Sequence, residues 1–175
     1  MKRISLMRHA KSDWADRSLS DSARPLNERG RAAAPLIGAF MRDNDITPDL
    51  ILCSSSQRTR ETLDLLLPHF KPAPETLISE RLYLASPAEI LGQIQAADDA
   101  HSHILMIGHN PGTHMLALDL IDPKRSDSAA VAQLAGKFPT AAVAHFEFDS
   151  ERWADMDRQQ GFLKTFKTPK MLQKT

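Results

Sequence analysis

The chain has 175 residues, with 22 Lys and Arg against 22 Asp and Glu, no net charge and a pI near 7.1. That balance excludes nucleic acid or a membrane surface as a partner drawn by a whole-molecule field, so any anion site must be local. The length suits one domain spanning 1–175 that buries roughly two thirds of its unfolded surface, and the single cysteine, Cys53, rules out an internal disulfide.

In chain order, the first element is the apolar run Ile4-Ser5-Leu6-Met7, which ends abruptly in Arg8-His9. Apolar residues bounded by charge predict a buried strand, with Arg8 and His9 at the rim of the sheet. Pro25-Leu26-Asn27-Glu28-Arg29-Gly30 leads into Ala32, Leu36, Ile37, Phe40 and Met41, spaced by three and four as in a helix, with Pro48 beyond its end. Leu50 to Cys53 is a second strand, in which Cys53 reads as a small buried residue and points to a reducing compartment. Gln57 to Leu67 is helical until Pro68 stops it, and at least one of Ser54, Ser55 and Ser56 caps it. Thr76 to Ser79 is a third strand. Ser86-Pro87 opens a helix over Ile90, Leu91 and Ile94. Ile104 to Ile107 is a fourth strand, and Asn110-Pro111-Gly112 starts a helix in the same way.

Beyond that point the pattern changes. Asp122 to Ala135 reads as a surface loop or short helix, and Pro169 to Thr175 as a fraying tail. Ala141 to Phe148 and Gly161 to Phe166 alternate as strands and are expected to form an antiparallel pair at one sheet edge. Strands separated by helices imply right-handed crossovers. The expected fold is therefore α/β, a three-layer α/β/α sandwich with a mostly parallel sheet and an antiparallel edge near the C-terminus. No apolar stretch approaches the roughly 18 to 20 residues of a membrane span, and no apolar core of a signal peptide follows Lys2-Arg3, so a cytoplasmic location is expected.

The chemistry gathers where three predicted strands end: Arg8-His9, then Ser54 to Thr62 with Arg58, then Gly108-His109-Asn110. Arginine forks, histidines and a helix N-terminus converging on one crevice make an anion site, and a phosphoryl group is its natural ligand. The remaining histidines carry less. His101 and His103 lack carboxylate or cysteine companions at ligand spacing and read as solvated loop residues, while His69, His114 and His145 have no motif around them. Trp14 either lines the pocket or packs its loop down.

With Arg8-His9-Ala10, Arg58 in Ser54-Ser55-Ser56-Gln57-Arg58-Thr59-Arg60-Glu61-Thr62 and His109 in Gly-His-Asn-Pro, the chain resembles the histidine phosphatase superfamily over nearly its whole length. The run Arg-His-Ala-Lys-Ser and Arg24-Pro25-Leu26-Asn27 with Gly30 are most similar to the phosphohistidine phosphatase SixA branch. The resemblance implies that His9 attacks phosphorus and forms a phosphohistidine that water then hydrolyses. Arg8 and Arg58 would keep His9 neutral and neutralise the equatorial oxygens, and His109 would donate to a phosphoryl oxygen. Ser12, Lys11 and Asn110 would contact the bound group. Glu80 resembles the general acid of the mutase-like branch, with Asp13, Asp16 and Asp21 as rivals.

No metal or other cofactor is implied. The expected partner is a phosphorylated protein, a histidine phosphotransfer domain being one candidate, or a small phosphoester. A phosphoglycerate mutase-like transferase is disfavoured by the short chain, and a non-catalytic phosphoprotein-binding module by the intact His9. Ala10 replaces the glycine of the family's Arg-His-Gly, which removes easy access to positive φ and the closest backbone approach to phosphate.

Overall fold

The computed structural model describes residues 1–173. Six strands, β1 (Lys2–Arg8), β2 (Leu50–Ser54), β3 (Glu75–Ser79), β4 (His103–Gly108), β5 (Val143–Phe148) and β6 (Phe162–Lys167), form one sheet in the order β3-β2-β4-β1-β5-β6. The first four run parallel, and β5 and β6 are added antiparallel beyond β1. The sheet is thus mostly parallel with an antiparallel edge.

Among the described residues six α-helices cover it: α1 (Glu28–Asp43), α2 (Gln57–Leu66), α3 (Pro87–Gln95), α4 (Gly112–Leu120), α5 (Ser128–Gly136) and α6 (Pro169–Gln173). Side chains alternate across a strand, so β1 serves two cores. Ile4 and Leu6 pack under α3, α4 and α5, and Met7 packs under α1 and α2. Burial on both faces is why β2 and β4 read as continuous apolar runs. Among the described residues no helix is long and apolar enough to cross a membrane.

Register decides where the site forms. Arg8 pairs with Gly108 and Cys53 with Ile107, so β1, β4 and β2 end at the same height. The residues that follow all emerge on one rim, in the crevice where open α/β sheets bind ligands.

Several local expectations need correcting. His103 is buried, not a solvated loop residue, because it opens β4 and faces the sheet interior. Its Nδ1 donates to the Thr47 carbonyl at 2.9 Å, leaving Nε2 to accept from the Ser5 hydroxyl at 2.8 Å. Ser5 in turn accepts from His145 Nδ1 at 2.9 Å, so three buried polar side chains satisfy one another. His101 does have carboxylates beside it, Asp49 and Glu75, brought from other strand ends.

The helix after β4 starts at Gly112 and has no side-chain cap, since Asn110 donates instead to the Phe138 carbonyl at 2.9 Å. Gly112 lies so close to the segment before α3 that a Cβ there would fall 2.0 Å from the Ala85 carbonyl. The stretch read as a loop or short helix contains α5, capped by Asp127. Most of the expected tail is α6, whose Met171 and Leu172 pack on the two cores; residues 174 and 175 lie outside the described residues.

Candidate active site

The loop after β1 is held open by the segment before α1. Asp13 N–H donates to the Pro25 carbonyl at 2.8 Å and Asn27 N–H to the Lys11 carbonyl at 3.0 Å, while the Asn27 side chain caps α1 through Gly30 N–H. Gly30 is needed there because a Cβ would meet the Lys11 oxygen at 2.2 Å. Gly30→Ala is expected to destabilise the protein by about 2 kcal/mol despite alanine's better helix propensity, since backbone must move. A urea melt checks the stability, and a fall in kcat/KM would report the shifted Lys11-Ser12 loop.

Ala10 imposes no comparable strain. Among the described residues the non-glycines with positive φ are Asp45, Leu84, Ala141 and Gln159, so Ala10 occupies a conformation open to any residue. Its methyl is fully buried in the core under α1 and α2, and its N–H donates to Thr62 Oγ1 at 3.0 Å. The Ala10 bond ties the loop carrying His9 to α2, where Thr62 itself donates to the Arg58 carbonyl at 2.7 Å.

His9 is 6% exposed and its Nδ1 donates to the Ala10 carbonyl at 2.7 Å. That bond fixes the tautomer and leaves the Nε2 lone pair unprotonated, where it accepts a long hydrogen bond from Arg58 Nε at 3.4 Å that an incoming phosphoryl group would displace. Burial, assisted by His109, Arg58 and Arg8, pushes the His9 pKa down to about 3. At neutral pH the imidazole is uncharged and nucleophilic.

Arg58, 3% exposed on the first turn of α2, is the hub of the site. It donates to the Asp21 carbonyl at 2.7 Å, to Asp21 Oδ2 at 3.0 Å and to His109 Nδ1 at 3.3 Å. His109 Nε2 therefore carries the proton and donates to Ser54 Oγ at 2.8 Å. Burial and the Arg58 charge lower the His109 pKa to about 4, and its ring centroid lies 5.3 Å from that of His9. Of the three serines at the end of β2 and just beyond it, Ser56 caps α2 and Ser54 positions His109.

Arg8 donates to the Phe138 carbonyl at 3.2 Å, and its Nε is buried without a hydrogen-bond partner. Burial and the neighbouring Arg58 lower its pKa, in keeping with cations gathered where an anion will sit. The cavity among these groups has a volume of about 180 Å³ and is lined by Arg8, His9, Lys11, Ser12, Arg58, His109 and Asn110 together with Trp14, Arg24, Leu84 and Thr140. The geometry thus brings together seven of the eight residues singled out from the sequence.

Glu80 is the one it leaves apart. It begins a 3-10 turn (Glu80–Leu82) after β3, is exposed and does not line the cavity. The reason is sheet order: β3 is an edge strand three places from β1, roughly 14 Å at ordinary strand spacing. The turn sends Tyr83 inward instead, where it hydrogen-bonds Asp21 and meets the His109 ring edge-on.

Three contributors escaped the sequence reading as site residues. Arg24 is 7% exposed, donates to Ser12 Oγ at 2.7 Å and lies 3.4 Å above the Trp14 ring. Asp21, weighed above only as an acid, clamps Arg58 and Arg24 and is held at a pKa of about 2, first by the Tyr83 hydrogen bond and then by Arg58. Tyr83 is the third. Arg24-Pro25-Leu26-Asn27 was a visible signal for the first; nothing local marked the other two.

The sequence profile described as histidine phosphatase superfamily (branch 1) matches residues 4–83. An uncharacterized protein of Mycobacterium tuberculosis is 34% identical over 164 residues, covering 94% of this chain and all of the relative. Among solved structures, a protein assigned as phosphohistidine phosphatase SixA from Nakamurella multipartitia is 26% identical with a TM-score of 0.83, over 96% of both chains. Another so assigned, from Agrobacterium tumefaciens, is 28% identical with a TM-score of 0.77, over 96% of this chain and 98% of that one.

Proposed function

The chain belongs to the histidine phosphatase superfamily, in its SixA-like branch, and from that premise we propose that this phosphatase acts on phosphohistidine in a protein substrate. His9 Nε2 attacks phosphorus as the P–N bond of the substrate breaks, and the substrate imidazole leaves with a proton drawn from solvent. Water then attacks the phosphoryl-His9, releasing inorganic phosphate and restoring the neutral imidazole. Arg8 and Arg58 fork onto the phosphoryl oxygens, and Ser12, Lys11 and Asn110 complete the shell. The incoming dianion favours a second proton on His109, whose Nδ1 then donates to it.

The observation that carries the choice of substrate is the absence of any Asp or Glu among the residues lining the 180 Å³ cavity. Asp21, the carboxylate bonded to Arg58 behind the cavity, stays ionised at neutral pH and is engaged by Arg58 and Tyr83. An alkyl phosphoester needs a proton delivered to its departing oxygen, a contribution of about 10²–10⁴-fold, whereas imidazole is a far better leaving group.

A panel of phosphohistidine protein, phosphoserine peptide, sugar phosphate and para-nitrophenyl phosphate tests this. The phosphohistidine protein is expected to exceed the phosphoserine peptide and the sugar phosphate in kcat/KM by at least about a hundredfold. The activated aryl ester should also turn over. Equal efficiency on the phosphoserine peptide or the sugar phosphate would overturn the assignment.

A further inference from the structure

The phosphoryl cavity does not end at Thr140. A middle cavity of about 430 Å³ and an outer one of about 830 Å³ adjoin it, and Lys11 and Thr140 line all three. Together they form one trench that runs from His9 along the start of α1 to α6. No Asp or Glu lines any part of it. Lys11, Arg29, Lys137 and Lys170 stand along it, all exposed. Elsewhere exposed cations are mixed, some paired, as in Arg42 with Asp43, Arg125 with Asp149 and Lys164 with Glu147, and some unpaired but scattered, as in Arg60, Lys71 and Lys124; the trench differs in gathering four cations along one acid-free surface. Among the described residues these four have no carboxylate partner. In a chain with no net charge, that is a local positive field.

Two further observations give the occupant's chemistry. The outer cavity includes apolar surface from Ala32, Ala33, Phe166 and Met171, which a bare polyanion would leave uncovered. Asn110 lines both the phosphoryl and the middle cavity, and its Oδ1 is buried without a hydrogen-bond partner. An N–H group satisfies that acceptor; a phosphate oxygen does not.

We propose that this trench seats an acidic segment with an apolar face, contiguous in the substrate protein with the phosphorylated residue. The inference rests on the phosphoprotein reading above and deepens it. The lysines and Arg29 select carboxylates around the phosphorylation site, the apolar floor takes the segment's hydrophobic side chains, and Asn110 accepts from its backbone near the reacting group.

The test uses two synthetic peptides with one phosphohistidine each, flanked either by Glu and Leu at helical spacing or by Lys and Leu. It also uses a triple variant, Arg29→Glu with Lys137→Glu and Lys170→Glu, whose positions are exposed and make no ion pair, so the fold should persist. Wild type is expected to prefer the acidic peptide by about tenfold or more in kcat/KM, mainly through KM, and the variant to lose or invert that preference. Activity on para-nitrophenyl phosphate should stay within about twofold, because none of the three residues lines the phosphoryl cavity. A wild-type preference near one, or a preference unchanged in the variant, overturns the proposal. So does inorganic pyrophosphate competing as well as the acidic peptide.

Anisotropy with the unphosphorylated acidic peptide separates the two readings. If neither phosphopeptide is hydrolysed yet this peptide binds wild type and not the variant, the trench stands and the substrate assignment falls. Absence of that binding as well overturns the trench.

Discussion

His9→Asn is expected to reduce phosphatase turnover by at least about ten-thousand-fold while the protein remains folded and still binds inorganic phosphate. Asparagine fills similar space but offers no nucleophilic lone pair. The anion shell of Arg8, Arg58 and His109 would remain, because Phe138 holds Arg8, Ser54 holds His109, and Asp21 holds Arg58 even when its long bond to His9 is lost. Steady-state rates on para-nitrophenyl phosphate measure the loss. Rapid mixing of wild type with labelled substrate, followed by an alkaline quench, should trap label on the protein, and His9→Asn should trap none. A variant retaining more than about a hundredth of the wild-type rate would show that the nucleophile lies elsewhere.

Stability is expected to fall steeply as pH drops from 6.5 toward 4. His9, His103, His109 and His145 are all buried, and burial is the largest cause holding their pKa values at about 3 or 4. In the unfolded chain each titrates near 6.5. Between those limits the unfolded state binds more protons than the folded one, so stability rises with pH and is lost on acidification; above 6.5 both states are neutral and the effect vanishes. At pH 5 the displacement of about 1.5 units corresponds to about 2 kcal/mol for each group, and thus about 4 kcal/mol for the pair bonded through Ser5. Arg3 lies near both members of that pair and opposes their protonation further. Urea melts at pH 8 and pH 5 measure the difference. The double variant His103→Asn with His145→Asn should start less stable at pH 8 yet lose distinctly less on acidification. An unchanged loss would mean that other groups set the acid limit.

How much of this could be read from residues alone follows from how local each signal is. β2 and β4 are buried on both faces, so their apolar runs stood out without tertiary knowledge. β5 and β6 were legible through alternation. α6 was not, because five residues that begin with a proline carry too little periodicity; packing on α1 and the two cores makes them helical. His103 misled because a histidine beside His101 and Ser102 looks like loop. Its environment is supplied by Ser5 and by Thr47, far away in sequence.

The site divides the same way. The sequence by itself determined that Arg8, His9, Arg58 and His109 follow strands of one parallel sheet, since charged residues that interrupt buried apolar runs must emerge at strand ends. It equally determined that Ser12, Lys11 and Asn110 travel with them. Only the tertiary structure decided which carboxylates stand near. Strand order carries Glu80 to an outer edge, while a loop folds Asp21 onto Arg58, and chain distance predicts neither. Tertiary structure alone also set the tautomer of His109, through Ser54 and Arg58, and the trench built from α1, α6 and the segment around Lys137. The physical reason is one of range: burial and backbone propensity act on neighbours in the chain, whereas hydrogen bonds and charge act on neighbours in space.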